Sequence, residues 1–547
     1  MWHGGPHRQP VPFRAGRYGC EKAIAWLLRA NRVYGHDQRW ATLTTFAAAF
    51  RGGCWPRPVS PSQISRWETA AAPAGFGVLR RYEELLGLPP GQLVAIADWA
   101  YRKASGRPGR PVLDRGLNPE DPRVQDRAGQ LFERALSADL MTGTDWDELT
   151  SHLAVFPVAF VYPRTAWGDL SERLLAELLV TDGRAWLSRI EAVDRLLAHP
   201  HARPPLIAAC AALAADPACQ VVVEPLAILE QTADADAGSH VLAQLTHPSS
   251  DRALRGAMLA AVGKTRLGHF RPVQLRTVAA VAAGLLPGAD PPSEAGALAA
   301  ELLRLVSAIP GSAAEDRLRG VTDATIRAIL AHGLTAVPDA AQRVTARILT
   351  AATARMRRPL DVAGTDPDPM LSCLVGDLLF SPNQNQRLLA GQLIAATPYR
   401  DRVGAALAAE LAMAPANRAV SLTSAMLAAM PSVGRPADRH LVERFALATG
   451  LPAPITDAAA WGIGHTPGVS GADFWPAALA THTRAWQRTR SQASISALRG
   501  LIYGLGIGRH HDLLRSIRAD TAAPAPARMA AGWWLNIPVR ILASAAR

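Results

Sequence analysis

Apolar residues recur at helical spacing along most of this chain, in segments of about 10 to 18 residues that end at short Pro, Gly or Asp breaks. Examples are DRAGQLFERAL, DLSERLLAELLV and AWLSRIEAVDRLLAHP. The helix formers Ala, Leu and Arg recur throughout, whereas aromatic residues make up only 6% of the 547 positions. We therefore expect an all-α fold in which successive helices pack as hairpins.

Three segments of the chain align with one another without gaps: Arg252–Gly263, Arg387–Pro398 and Ser496–Ile507. Each has a Leu, a Gly two positions later, and then an apolar pair. Their spacing along the chain is unequal, so the pattern resembles HEAT repeats without forming a strict array. We expect an irregular α-solenoid over residues 123–547, with the small residues letting neighbouring helices approach closely. Chance alignment of Ala-rich helices remains the alternative.

The positive charge of the protein is concentrated near the N-terminus. Residues 1–110 hold 16 basic and 6 acidic side chains, a net of +10 out of +12 for the whole chain. Such an excess indicates a polyanion as partner, or a merely solubilising basic arm. Apolar periodicity predicts a small domain over residues 17–102. The segment 103–122 is rich in Gly, Pro and charge and is predicted to be a linker.

The stretch VSPSQISRWE has the features of a short helix start. Ser60 is predicted to cap the first turn, and Pro61 suits the first helical position. Ile64 and Trp67 fall on one face and are predicted to pack inward. The other face presents polar groups and a guanidinium, those of Ser62, Gln63 and Arg66.

Two predicted helices precede this one, ending at Gly35 and at Gly52 with Gly53. A fourth follows, with Gly87 predicted at its C-cap and a Pro pair as its stop. Four or five short helices with a basic surface are typical of a helix-turn-helix domain.

SPSQISRWET followed by RRYEELLGLPPGQL resembles the Cro/C1-type (XRE) helix-turn-helix family, particularly its actinobacterial members, over roughly residues 20–102. The family pattern S-x-x-x-I-S-x-x-E falls on Ser60, Ile64, Ser65 and Glu68. The resemblance implies that the third helix enters the major groove of DNA. It also implies that Glu68 pairs with Arg29 or Arg32 of the first helix. The residues expected at the DNA are Arg57, Ser60, Ser62, Gln63, Ser65 and Arg66.

The sequence departs from the family pattern at three places. Pro61 stands where members often carry a base-reading polar residue, and Ala70 replaces the Gly usual after the Glu. The segment GGCWPRP lengthens the turn before the recognition helix. Trp55 and Arg57 in that turn are expected to brace the fold or to touch the DNA backbone.

Two functional hypotheses follow. In the first, the protein is a sequence-specific transcriptional regulator that binds double-stranded DNA, and the solenoid provides homodimer contacts or receives a signal or protein partner. In the second, the solenoid is a protein–protein scaffold that the small domain only tethers or orients. We expect no enzyme, because no catalytic constellation is found.

Other sequence features indicate a cytoplasmic protein without a metal, a cofactor or a membrane partner. The five cysteines are widely spaced without a CxxC pair, and the histidine pairs lack partners at ligand spacing. No run of about 18 apolar residues is present. GLGIGRHH is predicted to be a turn between helices. The C-terminal tryptophans are expected to anchor the core, with aromatic ligand-binding loops as the alternative.

Overall fold

The structure is a computed structural model that describes residues 19–105, 113–155, 163–286, 294–309, 324–333, 339–353, 368–381, 384–413 and 420–545. Throughout these residues the regular secondary structure is helical, so the fold is all-α as predicted. None of the helices in these ranges has the length and apolar character needed to cross a membrane.

The first helices are α1 (Cys20–Tyr34), a 3-10 turn (Gln38–Ala41), α2 (Leu43–Phe50), α3 (Pro61–Glu68), α4 (Phe76–Leu86) and α5 (Gln92–Ser105). The next are α6 (Pro122–Leu136), α7 (Gly143–Val155), α8 (Arg164–Leu179), α9 (Gly183–Ala198), α10 (Arg203–Ala215), α11 (Val223–Glu230), α12 (Ala235–Thr246), α13 (Asp251–Leu267), α14 (Pro272–Leu285), α15 (Glu294–Ser307), α16 (Ala324–His332) and α17 (Asp339–Thr353). The remainder are α18 (Pro369–Phe380), α19 (Gln384–Ala395), α20 (Arg400–Met413), α21 (Val420–Val433), a 3-10 turn (Pro436–Asp438), α22 (Arg439–Leu447), α23 (Ala453–Gly462), α24 (Phe474–Thr489), α25 (Gln492–Ile507), α26 (His511–Ala519), α27 (Ala525–Leu535) and α28 (Val539–Ala545).

Helix α4 ends as its sequence predicts. Gly87 follows the last helical residue with φ of 62°, in the left-handed region that favours glycine. The amide of Leu88 then donates to the carbonyl of Glu83 at 2.9 Å, which satisfies one of the free carbonyls of the last turn. The chain therefore turns sharply before α5.

Helix α5 joins the N-terminal helices to the solenoid. It continues to Ser105, beyond the predicted boundary at residue 102, and is buried nearly all round. Arg102 binds both carboxylate oxygens of Glu191 in α9. Asp98 of α5 accepts a hydrogen bond at 3.2 Å from Arg195, which also lies on α9. The N-terminal unit is therefore attached to the solenoid by buried charge pairs. Residues 17–18 of the predicted small domain and residues 106–112 of the predicted linker lie outside the described residues, as do residues 546–547 at the end of the predicted solenoid.

The three aligned segments have the same packing role. Gly256 of α13 faces α11, Gly391 of α19 faces α21, and Gly500 of α25 faces α23. A Cβ atom at Gly256 would lie 3.0 Å from Leu226, and one at Gly500 would lie 2.9 Å from the backbone of Ala460. Each glycine therefore allows close approach between two helices that are separated by one helix along the chain, as the repeat pattern predicts.

The C-terminal helices return to the first helices of the solenoid. Arg189 in α9 donates to the carbonyl of Ser544 at 2.9 Å, and Arg499 in α25 donates to the carbonyl of Cys219 at 3.2 Å. The guanidinium of Arg252 lies 3.5 Å from the ring centroid of Trp461. The solenoid is consequently closed on itself.

The prediction of a turn at GLGIGRHH is wrong for its first four residues, 504–507, which are helical. Helix α25 continues through Gly504 and Gly506, and the break comes only after Ile507. Both glycines lie against tryptophan rings: Gly504 against Trp475 and Gly506 against Trp534. Trp475 and Trp534 are buried core residues, in agreement with their predicted anchoring role, whereas Trp461, Trp486 and Trp533 are half-buried. Glycine here makes room for indole rings inside a helical interface.

Candidate nucleic-acid interface

Helix α3 begins where the sequence predicts. The backbone amide of Gln63 donates to the side chain of Ser60 at 3.2 Å, and Pro61 occupies the first helical position. Ser60 and Ser62 also share a hydrogen bond between their hydroxyls, with the oxygens 2.8 Å apart. The start of the helix is therefore fixed by its own side chains.

The inward face of α3 packs against α1 and α2. Ile64 is fully buried, and Trp67 packs its ring 5.4 Å from that of Phe50. Phe50 in turn contacts the rings of Tyr82 and Trp55. This aromatic cluster holds the helix by its apolar side and leaves its other side at the surface.

Glu68 ties α3 to the rest of the N-terminal unit. Its two carboxylate oxygens accept hydrogen bonds from Arg32 at 2.6 and 2.7 Å, and one of them accepts a third from the Tyr82 hydroxyl at 3.0 Å. The Arg32 guanidinium also donates to the carbonyls of Trp40 and Ala41. Burial and the Glu68 charge raise the pKa of Tyr82 well above its usual value, so this hydroxyl remains a donor. Of the two predicted partners, Arg32 contacts Glu68.

Arg29, the other predicted partner, pairs with a different carboxylate. Its guanidinium is 3.9 Å from the carboxylate of Asp368, at the start of α18. That carboxylate also accepts a hydrogen bond from the indole of Trp26 at 2.8 Å. The sequence offered no signal for this contact, because 342 residues separate Trp26 from Asp368. Arg29 therefore faces the solenoid and not α3.

The outward face of α3 carries the residues predicted at DNA. Ser60, Ser62 and Arg66 are exposed, and Gln63 and Ser65 are half-buried. The side chains of Gln63 and Arg66 make no hydrogen bond or ion pair with any described residue. These two groups are therefore available to a partner without breaking an internal contact.

The long turn before α3 has its own internal structure. Gly52 and Trp55 exchange backbone hydrogen bonds of 2.7 and 2.9 Å, which close a tight loop. Gly53 within it has φ of 53°, and a side chain there would collide with Arg81 and Glu84. Trp55 packs into the aromatic cluster, so it braces the fold, whereas Arg57 is exposed.

Arg81 fixes the end of α2, a role that the sequence analysis missed. Its guanidinium donates to the carbonyls of Ala49 and Phe50, each at 2.8 Å, and to Glu84 at 2.8 Å. The last carbonyls of a helix lack intrahelical partners, and a cation there also favours the helix dipole. The geometry between α2 and α3 thus rests on Arg81 as well as on Arg32.

Part of the predicted basic surface is internal. Arg32, Arg81 and Arg102 are buried with carboxylate partners and add no exposed charge. The described residues up to Ser105 expose two carboxylates, Glu21 and Glu84. They expose six basic groups, those of Lys22, Arg29, Arg39, Arg51, Arg57 and Arg66. The excess positive charge therefore remains at the surface, and three of these cations belong to the α2–α3 region.

Comparison with known proteins gives no relative. No protein-family model matches the chain, and neither the curated proteins nor the solved structures contain a match.

Proposed function

We propose that this protein is a transcriptional regulator that binds duplex DNA sequence-specifically, with α3 in the major groove. The observation that carries the proposal is the outward face of α3. It presents an amide and a guanidinium that have no partner among the described residues, on a helix held by the buried Arg32–Glu68 pair. A rigid helix with free polar side chains meets the requirement for reading base edges.

Each outward residue has a role in the proposed complex. The amide of Gln63 suits adenine, which it can bind through two hydrogen bonds, and the guanidinium of Arg66 suits guanine in the same way. Ser62 and Ser65 provide hydroxyls for either bases or phosphates. Arg51 and Arg57 precede α3, are exposed and make no ion pair with described residues, so they are suited to phosphates. If the protein dimerises, two half-sites about one helical turn apart follow.

The scaffold hypothesis has less support. A scaffold of this class binds its partner on the inner surface of an open solenoid. Here the C-terminal helices contact α8, α9 and α13, so the chain itself covers part of the surface of these helices. The outward face of α3, in contrast, is exposed or half-buried and is not covered by any described helix.

Selection from a pool of random duplexes, followed by genome-wide occupancy of the tagged protein, tests the proposal. We expect the wild-type protein to enrich one motif in both experiments. The Gln63→Ala/Arg66→Ala variant should lose that motif, because each bidentate base contact discriminates by about 1–3 kcal/mol. The affinity should fall as salt rises.

Arg123→Ala is the matched control, since Arg123 is an exposed arginine of α6. It should leave both the motif and the affinity unchanged. Flat occupancy for the folded wild-type protein, together with no salt-dependent duplex binding, would contradict the proposal and favour the scaffold.

A further inference from the structure

A cavity of about 560 Å³ lies where the N-terminal unit and both ends of the solenoid meet. Its walls come from eight helices, α5, α8, α9, α11, α19, α20, α21 and α25, and from residues between them. Pockets for small molecules have volumes of about 300–1,000 Å³. The cavity is therefore of a size that suits a small ligand.

The cavity walls include several apolar side chains, those of Ile96, Leu179, Trp186, Leu187, Val221 and Leu388. Some polar groups on the walls already have partners. His465 bridges Asp182 and the hydroxyl of Tyr503, at 3.3 and 2.6 Å, and Arg184 donates to the carbonyl of Pro90 at 2.8 Å. These groups are consequently held by the protein itself.

Two charged wall residues lack such partners: Glu224 on α11 and Arg400 on α20. Both are half-buried, and neither side chain makes a hydrogen bond or an ion pair with any described residue. The Nε atom of Arg400 and the Oε1 atom of Gln384 are fully buried without a hydrogen-bond partner. A buried polar group without a partner costs about 1–3 kcal/mol, and more if it is charged. The cavity therefore has an unmatched anion, an unmatched cation and an unmatched amide oxygen.

The charge of Glu224 affects the pKa of Arg252, but its carboxylate makes no hydrogen bond or ion pair with a described residue. Burial lowers the pKa of Arg252 to about 10, and the Glu224 charge opposes that shift. Arg252 lies over the ring of Trp461, and no pair of its nitrogens with the Glu224 oxygens is within ion-pair distance. The Glu224 carboxylate therefore has no ion-pair partner among the described residues and is available to a cation.

We propose that this cavity binds a small zwitterion with an apolar body, of the class of short apolar peptides. Its ammonium group would bind Glu224 and its carboxylate would bind Arg400. Its apolar part would lie against Ile96, Trp186 and Leu388. Because a zwitterion carries one positive and one negative group, a single ligand can bind both unmatched charges. Hydrogen bonds between charged groups are about twice as strong as those between neutral groups, so both contacts should contribute to affinity. The site does not depend on whether α3 binds DNA.

Calorimetric titration of the full-length protein with apolar di- and tripeptides of Leu, Val and Phe tests the proposal. We expect saturable binding at one site by at least one peptide. N-acetylation of that peptide removes its ammonium and C-amidation removes its carboxylate. Each change should weaken binding about tenfold or more. This arm uses the unaltered protein, so it does not depend on the folding of any variant.

Two variants assign the charges to the walls. Glu224→Gln should weaken the free peptide about tenfold and leave the N-acetyl peptide unchanged, because the partner of Glu224 is already missing. Arg400→Gln should likewise weaken binding of the free peptide about tenfold and leave binding of the C-amidated peptide unchanged. The matched controls are Glu120→Gln and Arg123→Gln, both exposed residues, which should bind as the wild type does.

Three results would overturn the proposal. They are the absence of binding by every peptide, binding that is indifferent to both termini, and binding that depends on the termini but not on Glu224 or Arg400.

Discussion

Arg32 donates two hydrogen bonds to Glu68, at 2.6 and 2.7 Å, across 36 residues of sequence, and both side chains are almost completely buried. The pair joins α1 to the end of α3. The helix that we propose to read DNA is therefore positioned by an internal charge pair.

Glu68→Gln should destabilise the N-terminal unit by about 3–5 kcal/mol, because it leaves the buried Arg32 guanidinium without its counter-charge. Thermal unfolding compared with the wild type measures this loss. Glu21→Gln, at an exposed glutamate of α1, is the control and should unfold as the wild type does. Equal melting temperatures for Glu68→Gln and the control would mean that the pair does not hold α3.

Ala70→Gly should stabilise the protein by about 1 kcal/mol. Ala70 has φ of 59°, a left-handed conformation that costs a side chain about 1–2 kcal/mol and costs glycine little. The XRE resemblance expects glycine at this position. The opposite control is Ala48→Gly on the exposed face of α2, which should lose about 0.5–1 kcal/mol. Denaturant titration of both variants checks the signs, and a loss of stability in Ala70→Gly would disprove the strain.

Gly500→Ala should destabilise the protein by about 1–3 kcal/mol, since its Cβ would lie 2.9 Å from the backbone of Ala460, which cannot move aside as a flexible side chain can. Gly129→Ala in α6 is the matched control. No atom lies within 4 Å of its added Cβ, so it should gain about 0.5–1 kcal/mol. The same stability change in both variants would show that α23 and α25 are not in close contact.

Asp194 should make the stability depend on pH between about 4 and 6. Burial raises its pKa from 3.8 to about 6, and neither carboxylate oxygen has a hydrogen-bond partner. The folded state therefore keeps the proton when the unfolded state has lost it. The stabilisation that this group contributes is greatest below pH 4 and falls by about 3 kcal/mol as pH rises to 6.

Asp194→Asn removes this term, because the amide does not titrate. The melting temperature of the variant minus that of the wild type should rise between pH 4 and pH 6 and stay constant above pH 6. A difference that is the same at every pH would contradict the raised pKa of Asp194.

Deletion of residues 1–105 should lower the melting temperature of the remaining chain. It takes Arg102 from Glu191 and Asp98 from Arg195, so each of these two buried charges on α9 loses one of its partners, and it exposes the apolar side of that helix. Scanning calorimetry of the truncated and full-length chains measures the effect. The Gln63→Ala/Arg66→Ala variant is the control and should melt as the wild type does. An unchanged melting temperature after truncation would show that the N-terminal unit is an independent domain.

Helix starts, helix ends and the close-packed glycines could be predicted because they depend on residues within one or two turns of each other. The serine cap and Pro61 place the start of α3, and Gly87 places the end of α4. The inward positions of Ile64 and Trp67 follow from helical spacing. The repeated Leu and Gly positions likewise indicated Gly256, Gly391 and Gly500 as contact points, since a repeated unit packs in a repeated way.

Contacts between distant segments could not be predicted in this way. Periodicity does not tell whether Arg29 or Arg32 reaches Glu68, nor that Arg102 is buried against a glutamate 89 residues away. Arginine looks the same in a sequence whether it lies at the surface or in a buried pair. Its role depends on which helices pack together, and that packing brings residues separated by hundreds of positions within hydrogen-bond distance. The closure of the solenoid and the cavity with Glu224 and Arg400 arise for the same reason: side chains from eight helices converge there only after the chain has folded.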